Sequence, residues 1–282
     1  MHEKAEATEH PRIAGLWIYP VKAARGQALA EVELGPLGFA FDRRWMIVRE
    51  DGRFLTQREE PRLARLVPRL EPDRLRLFFD GEALELPLAE LGTPLEVRIW
   101  NDRLVALAPD PRADRALSRW LGRRVRIVRL IEDRARPCDP AFAPPGSRTA
   151  FTDGFPLLVT NEASHAALDR AILARGGAPV PVERFRPNLL LAGLPAWAED
   201  AGGRLVFQDG TMLLLVKPCS RCIVTTTDQH TGARTGPEPL AALRALGRDR
   251  RGEGPTFGQN AVPVLRGGPA RLRLGLRATL RA

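Results

Sequence analysis

Short apolar runs of strand length crowd the first half of this chain, and few helical stripes interrupt them. IAGLWIYPV (13–21), WMIVRE (45–50), LRLFF (75–79), LEVRIW (95–100), RLVALA (103–108) and VRIVRLI (125–131) follow one another closely. Apolar and β-branched residues in short runs suit a pleated, half-buried surface. Asp51-Gly52 and Asp80-Gly81 supply two-residue turn signals, because glycine accepts the positive φ that tight hairpins need. Between the strands, DRALSRWLG (114–122) reads as a short helix stopped by Gly122.

The second half continues the pattern with more helix. PLLVT (156–160) is a strand, and EASHAALDRAILARGG (162–177) is a helix with Asn161 as its N-cap. NLLLAG (188–193) is a strand, and RLVFQDGTMLLLVKPC (204–219) is a hairpin turning at Asp209-Gly210. CIVTTTD (222–228) is expected as a strand, PEPLAALRALG (237–247) as a short helix, and RLRLGLRATL (271–280) as one alternating strand. PCDPAFAPPGSR (137–148) carries four prolines and a glycine and is an irregular loop. The expected class is mainly β with some α (α+β), arranged as two barrel-like or sandwich domains. Residues 1–10 read as a flexible tail, with domains over 11–125 and 126–282.

Charge and cysteine usage narrow the function. A formal net charge of +9 points to an anionic partner. The basic residues are scattered and the chain has one tyrosine, which argues against a nucleic-acid surface. No apolar run is long enough to cross a bilayer. The first ten residues have no apolar segment of a secretory leader. Three cysteines, an odd number, argue against a disulfide framework and for a reducing, cytoplasmic setting. Walker, dinucleotide-binding, serine-elbow and HExxH motifs are absent from the sequence.

Four stretches could carry chemistry. In Lys217-Pro218-Cys219-Ser220-Arg221-Cys222, zinc would need further ligands at a suitable spacing, and a thioredoxin-like pair would need a helix after it. A pair of small buried hydrophobes and a single thiolate ligand both stay open, the latter favoured by Arg221 and Lys217 beside the thiols. Lys22, after a strand, and Arg43, before one, are loop cations suited to phosphate or to a solvated surface. Arg184 and Arg186 stand at a strand entrance as an anion clamp or a capped strand start, and Asn188 offers an amide edge. Phe257-Gly258-Gln259-Asn260 adds polar amides beside a glycine.

In order, YPVKAARG, DRRWMIV, FLTQREEPRLARL, AFTDGFPLLVTNEAS, RFRPNLLL, PCSRCIVTTTDQHTG and FGQNAV resemble the MOSC family, within it the two-domain proteins related to the mitochondrial amidoxime-reducing component. The resemblance implies a β-barrel-like MOSC domain packed on an N-terminal β-barrel domain. It implies a molybdenum cofactor, Mo-molybdopterin, ligated by Cys222 as catalytic residue and metal ligand. Lys22, Arg43, Asp153, Arg186, Asn188, Ser220, Arg221 and Asn260 would bind that cofactor. Ala23 stands where some relatives have serine, and Gly154-Phe155 replaces a more polar pair. The implied activity is reduction of small N-hydroxylated (N–OH or N-oxide) substrates. Electrons would come from a separate ferredoxin- or cytochrome-type donor protein. The alternative is a carrier of sulfur or of the cofactor; pyridoxal phosphate is not expected, nor are nucleic-acid or membrane partners.

Overall fold

The computed structural model describes residues 11–89, 92–250 and 254–281. The expected tail over 1–10 lies outside them. In the first half the strands are β1 (Arg12–Ile18), β2 (Glu31–Gly35), β3 (Trp45–Arg49), β4 (Val67–Leu70), β5 (Arg74–Phe79), β6 (Glu82–Pro87), β7 (Thr93–Ile99) and β8 (Asp102–Ala108). Helix α1 (Pro111–Leu121) and β9 (Val125–Leu130) follow. The helix starts earlier than its apolar pattern suggests, because the Asp110 side chain accepts from Arg112 N and Pro111 opens the first turn. Gly122, at φ 62°, ends it as expected.

The second half contains β10 (Leu157–Asn161), α2 (Glu162–Ala174), β11 (Leu189–Ala192), β12 (Gly203–Phe207) and β13 (Met212–Ser220). After these come α3 (Leu240–Ala245), β14 (Gly254–Val264), β15 (Ala270–Arg273) and β16 (Ala278–Arg281). Asn161 caps α2 by accepting from Ala163 N. The molecule is mainly β, and an isolated bridge between Arg12, in β1, and Arg277, just before β16, ties these two strands together.

Residue 126 lies inside β9, which pairs with β3 and β8. Strand β1 crosses into the large sheet of the second half, whose order from β1 is β11, β10, β14, β13, β12, β16. Burial drives the crossing: Ile13, Leu16 and Ile18 pack with Leu157, Leu189, Leu191 and Leu213 in one core. A separate core gathers Trp45, Ile47, Leu75, Leu77, Leu117, Trp120 and Ile127 under α1.

Two expected strands are corrected. Ile223–Thr226 is a 3-10 turn despite its β-branched residues. Thr225 Oγ1 donates to Cys222 O at 2.9 Å and Thr226 Oγ1 to Ile223 O at 2.8 Å, so the hydroxyls satisfy the carbonyls of a tight turn instead. The C-terminal alternation is cut by Gly275, at φ 78°. Its two parts join different partners, β15 pairing with β2 and β16 with β12. In the proline-rich loop Arg136 and Pro137 pair with Thr149 and Arg148. No helix among the described residues is long and apolar enough to cross a membrane.

Candidate functional site

One cleft collects Lys22, Arg43, Asp153, Arg186, Asn188, Ser220, Arg221, Cys222 and Asn260, the residues that the family resemblance marks for the cofactor. Its lining includes five cations (Lys22, Arg43, Arg58, Arg186 and Arg221) against one carboxylate, Asp153, so it favours an anionic ligand.

The segment after β1 runs beside the start of β3. Lys22 N donates to Trp45 O at 2.8 Å, which turns the lysine inward. Its ammonium is buried and donates to Phe151 O at 2.8 Å and to Asp153 Oδ1 at 2.6 Å. Burial pulls the Lys22 ammonium below the ordinary lysine value, and Asp153 opposes that shift. Burial also raises the Asp153 carboxyl, but Lys22, then Arg58 and Arg43, outweigh it and hold the group well below the usual carboxylate range. The Asp153 side chain is nonetheless 74% exposed within the cleft, so solvent screens the pair and its contribution to stability is small.

Arg43 and Arg186 both have left-handed backbones, at φ 49° and 58°. These bends bring both guanidiniums onto the ring of buried Tyr19, at 4.1 Å and 4.3 Å from its centroid. Tyr19 is tied to both segments. Its N–H donates to Asp42 Oδ1 at 2.7 Å, its carbonyl accepts from Arg43 N at 2.9 Å, and its hydroxyl donates to Pro187 O at 3.1 Å. Asp42, 1% exposed, also accepts from Arg43 Nη1 at 2.6 Å. Burial, then the neighbouring Arg43, lowers the Arg186 guanidinium to about 10, so it stays charged at neutral pH. Arg186 Nη1 donates to Ala24 O at 2.7 Å, whereas buried Nη2 has no hydrogen-bond partner.

Cys222 enters from the end of β13, where it precedes the 3-10 turn. Its Sγ makes no hydrogen bond among the described residues, and the side chain is partly exposed. Arg221 N donates to Pro255 O at 2.7 Å, which holds this corner against β14. Ser220 is exposed, and Asn260 pairs in register with both Leu158 and Lys217.

A MOSC N-terminal beta barrel domain matches residues 10–124, and a MOSC domain matches residues 146–273. Over 277 residues the chain is 31% identical to mitochondrial amidoxime-reducing component 1 of Homo sapiens, covering 89% of this chain and 78% of that protein. The chain belongs to the MOSC family. Mitochondrial amidoxime reducing component 2 of Rattus norvegicus is 30% identical, with 83% of this chain and 71% of the relative covered. Molybdenum cofactor sulfurase of Danio rerio is 30% identical over 82% of this chain and 30% of its own length.

In this MOSC chain several side chains take other contacts than their sequence positions suggest. Arg221 Nη1 lies 2.8 Å from Cys219 Sγ and Nη2 donates to Phe185 O at 2.6 Å, so its guanidinium attends the other thiol. Lys217 Nζ stands 4.3 Å from the Phe142 ring centroid. Asn188 is 1% exposed. Its Oδ1 accepts from Arg43 Nη1 at 3.0 Å and Leu158 N at 3.1 Å, and its Nδ2 donates to Trp17 O at 3.2 Å. The amide is therefore a staple between strands that also holds Arg43. Arg184 does not join Arg186 at the cleft, because the left-handed bend separates them. It is buried, donating to Thr235 Oγ1 at 2.9 Å. Cys138 packs with Ala143 and Val262, and burial pushes its thiol up to about 11.

Among the described residues there is no group of three or more His, Cys, Asp or Glu side chains placed to hold a metal ion. Sequence reasoning passed over Tyr19, Asp42, Arg58 and Trp100. Tyr19 sits within the YPVK stretch and Arg58 within FLTQREEP, but only their contacts distinguish them from ordinary strand and loop residues.

Proposed function

We propose that this MOSC protein binds Mo-molybdopterin through Cys222 and acts as an oxidoreductase on small N-hydroxylated (N–OH or N-oxide) molecules. The observation that carries this reading is the placing of Cys222, its sulfur free of hydrogen bonds among the described residues, in a cleft with five cations and one carboxylate. The residues present suit a large anion. Arg186 Nη2 and Arg221 Nε are buried donors without partners, and such donors stabilise an acceptor that reaches them. The cofactor supplies the two-electron chemistry, and the protein supplies binding and orientation.

Each side chain then has a role. Cys222 provides a soft anionic ligand suited to a high-valent metal. Arg43 and Arg186, set by Tyr19, hold the anionic end of the ligand, and Arg221 fixes the corner from which Cys222 projects. Asp153 offers acceptors to a donor-rich ring edge while balancing Lys22. An N-hydroxylated substrate takes up two electrons and two protons, its N–O bond breaks, and the reduced nitrogen compound and water leave. The electrons come from a separate ferredoxin- or cytochrome-type protein.

A second reading, a carrier of sulfur or of the cofactor, is favoured by the partly exposed thiol and by similarity to a protein named molybdenum cofactor sulfurase. Elemental analysis of protein from a cofactor-producing host separates the oxidoreductase from the sulfur carrier, and turnover of an N-hydroxylated substrate separates it from a cofactor carrier. Near-stoichiometric molybdenum that is lost in Cys222→Ser supports the oxidoreductase. Metal-free wild type with a persulfide at Cys222 sinks it and supports the carrier.

A further inference from the structure

Trp100 and Arg58 line the same cleft, and the roles above leave them unused. Strands β7 and β8 are joined by Trp100 and Asn101, since Ile99 pairs with Asp102. Trp100 is the first of these two turn residues and has φ 52°. Glycine suits that position best, and a bulky side chain is held there only with strain. Burial does not account for the choice, because Trp100 is 39% exposed. Phe54, buried beneath, meets the indole edge-on at 4.9 Å and braces it.

The Arg58 guanidinium lies 5.0 Å from the Trp100 ring centroid. The other four cations of the cleft are engaged: Lys22 with Asp153, Arg43 with Asp42, Arg186 with Ala24 O, and Arg221 with Phe185 O. The Arg58 guanidinium has no hydrogen bond or salt bridge among the described residues, so its N–H groups are free for a ligand there. Its backbone is fixed from the other half of the chain, where Arg234 Nη2 donates to Arg58 O at 2.7 Å. A braced, exposed indole and a positioned, uncommitted guanidinium together offer a planar stacking face and a fork of donors.

We propose that Arg58 and Trp100 form a substrate subsite for an aromatic ring bearing a carboxylate. This inference rests on the N-hydroxyl reductase reading of the same cleft and names the substrate class within it. The indole stacks on the ring, and the guanidinium pairs with the carboxylate, bidentate where geometry permits. Substrates lacking the ring or the charge lose affinity at this subsite.

The test uses molybdenum-loaded protein with benzamidoxime and its para-carboxylate derivative, in wild type, Trp100→Phe, Trp100→Gly and Arg58→Gln. Calorimetry with the two matching amidines measures binding without turnover. Wild type is expected to bind the carboxylated probe about fivefold more tightly, and Arg58→Gln to abolish that preference. Trp100→Gly is expected to weaken both probes about fivefold, with the loss in KM rather than kcat, and Trp100→Phe to recover most of it. Melting curves accompany the binding data, and a loss of affinity in Trp100→Gly protein that melts well above the assay temperature cannot be ascribed to unfolding. Equal affinities across all four proteins overturn the subsite. If wild type holds molybdenum yet reduces neither probe, the reductase reading fails, while amidine binding still decides the subsite.

Discussion

Replacing Tyr19 tests the physical basis of the cationic wall. The residue acts in two ways that Tyr19→Phe and Tyr19→Leu separate. Tyr19→Phe keeps the ring and deletes one neutral hydrogen bond, hydroxyl to Pro187 O at 3.1 Å. That loss costs about 1 kcal/mol, a little more if the carbonyl stays dry. Tyr19→Leu also removes the face on which Arg43 and Arg186 rest, at 4.1 Å and 4.3 Å. Desolvated cation–π contacts contribute up to about 2 kcal/mol each. With the ring gone, Arg186, already lowered by burial and by the neighbouring Arg43, loses the face that offsets that neighbour. The expected cost of Tyr19→Leu is therefore about 4 kcal/mol, against about 1 kcal/mol for Tyr19→Phe. In thermal melts this corresponds to a loss of roughly 10 °C against roughly 3 °C for a chain of this size. Molybdenum retention should fall in Tyr19→Leu and persist in Tyr19→Phe. Equal destabilisation by both variants would place the effect in the hydroxyl. A Tyr19→Leu protein within about 1 kcal/mol of wild type would refute the ring's role altogether.

Two further perturbations probe neighbouring elements. The folded Asp153 carboxyl titrates below its ordinary range, so its stabilisation is complete above about pH 4 and is lost as the pH falls through the lower, folded value. Urea midpoints of wild type and Asp153→Asn should differ slightly at neutral pH and converge in acid; a gap independent of pH contradicts the ion-pair account. Gly258, at φ 73°, leaves room for no side chain: a Cβ would stand 2.7 Å from Val159 O and 2.9 Å from Thr160 Cγ2. Gly258→Ala is expected to cost more than about 2 kcal/mol and to loosen β14 from β10. Hydrogen exchange at Leu157–Asn161 checks this, and unchanged protection would show that the backbone adapts.

The glycine and aspartate signals illustrate what can be read locally. Asp80-Gly81 and Asp209-Gly210 turn hairpins as expected, because the positive φ is a property of the residue itself. Asn161 caps its helix by bonding two residues ahead, again within reach of local geometry. The ordered motifs likewise marked Lys22, Arg43, Asp153, Arg186, Ser220, Arg221, Cys222 and Asn260, and one cleft holds them all.

Sequence alone therefore determined the strand-rich class, most turns and caps, and part of the cleft's lining. These depend on a residue's own conformational preferences or on motifs that survive in linear order. Tertiary structure decided the rest. It placed β1 against β11, turned Ile223–Thr226 into a tight helical turn, sent Arg184 to Thr235, and gave the Arg221 guanidinium to Cys219. It also joined Tyr19, Arg43 and Arg186, and set Arg58 over Trp100. Cation–π contacts and staples such as Asn188 act over a few ångströms between residues far apart in the chain, and they exist only once burial has chosen which strands lie side by side.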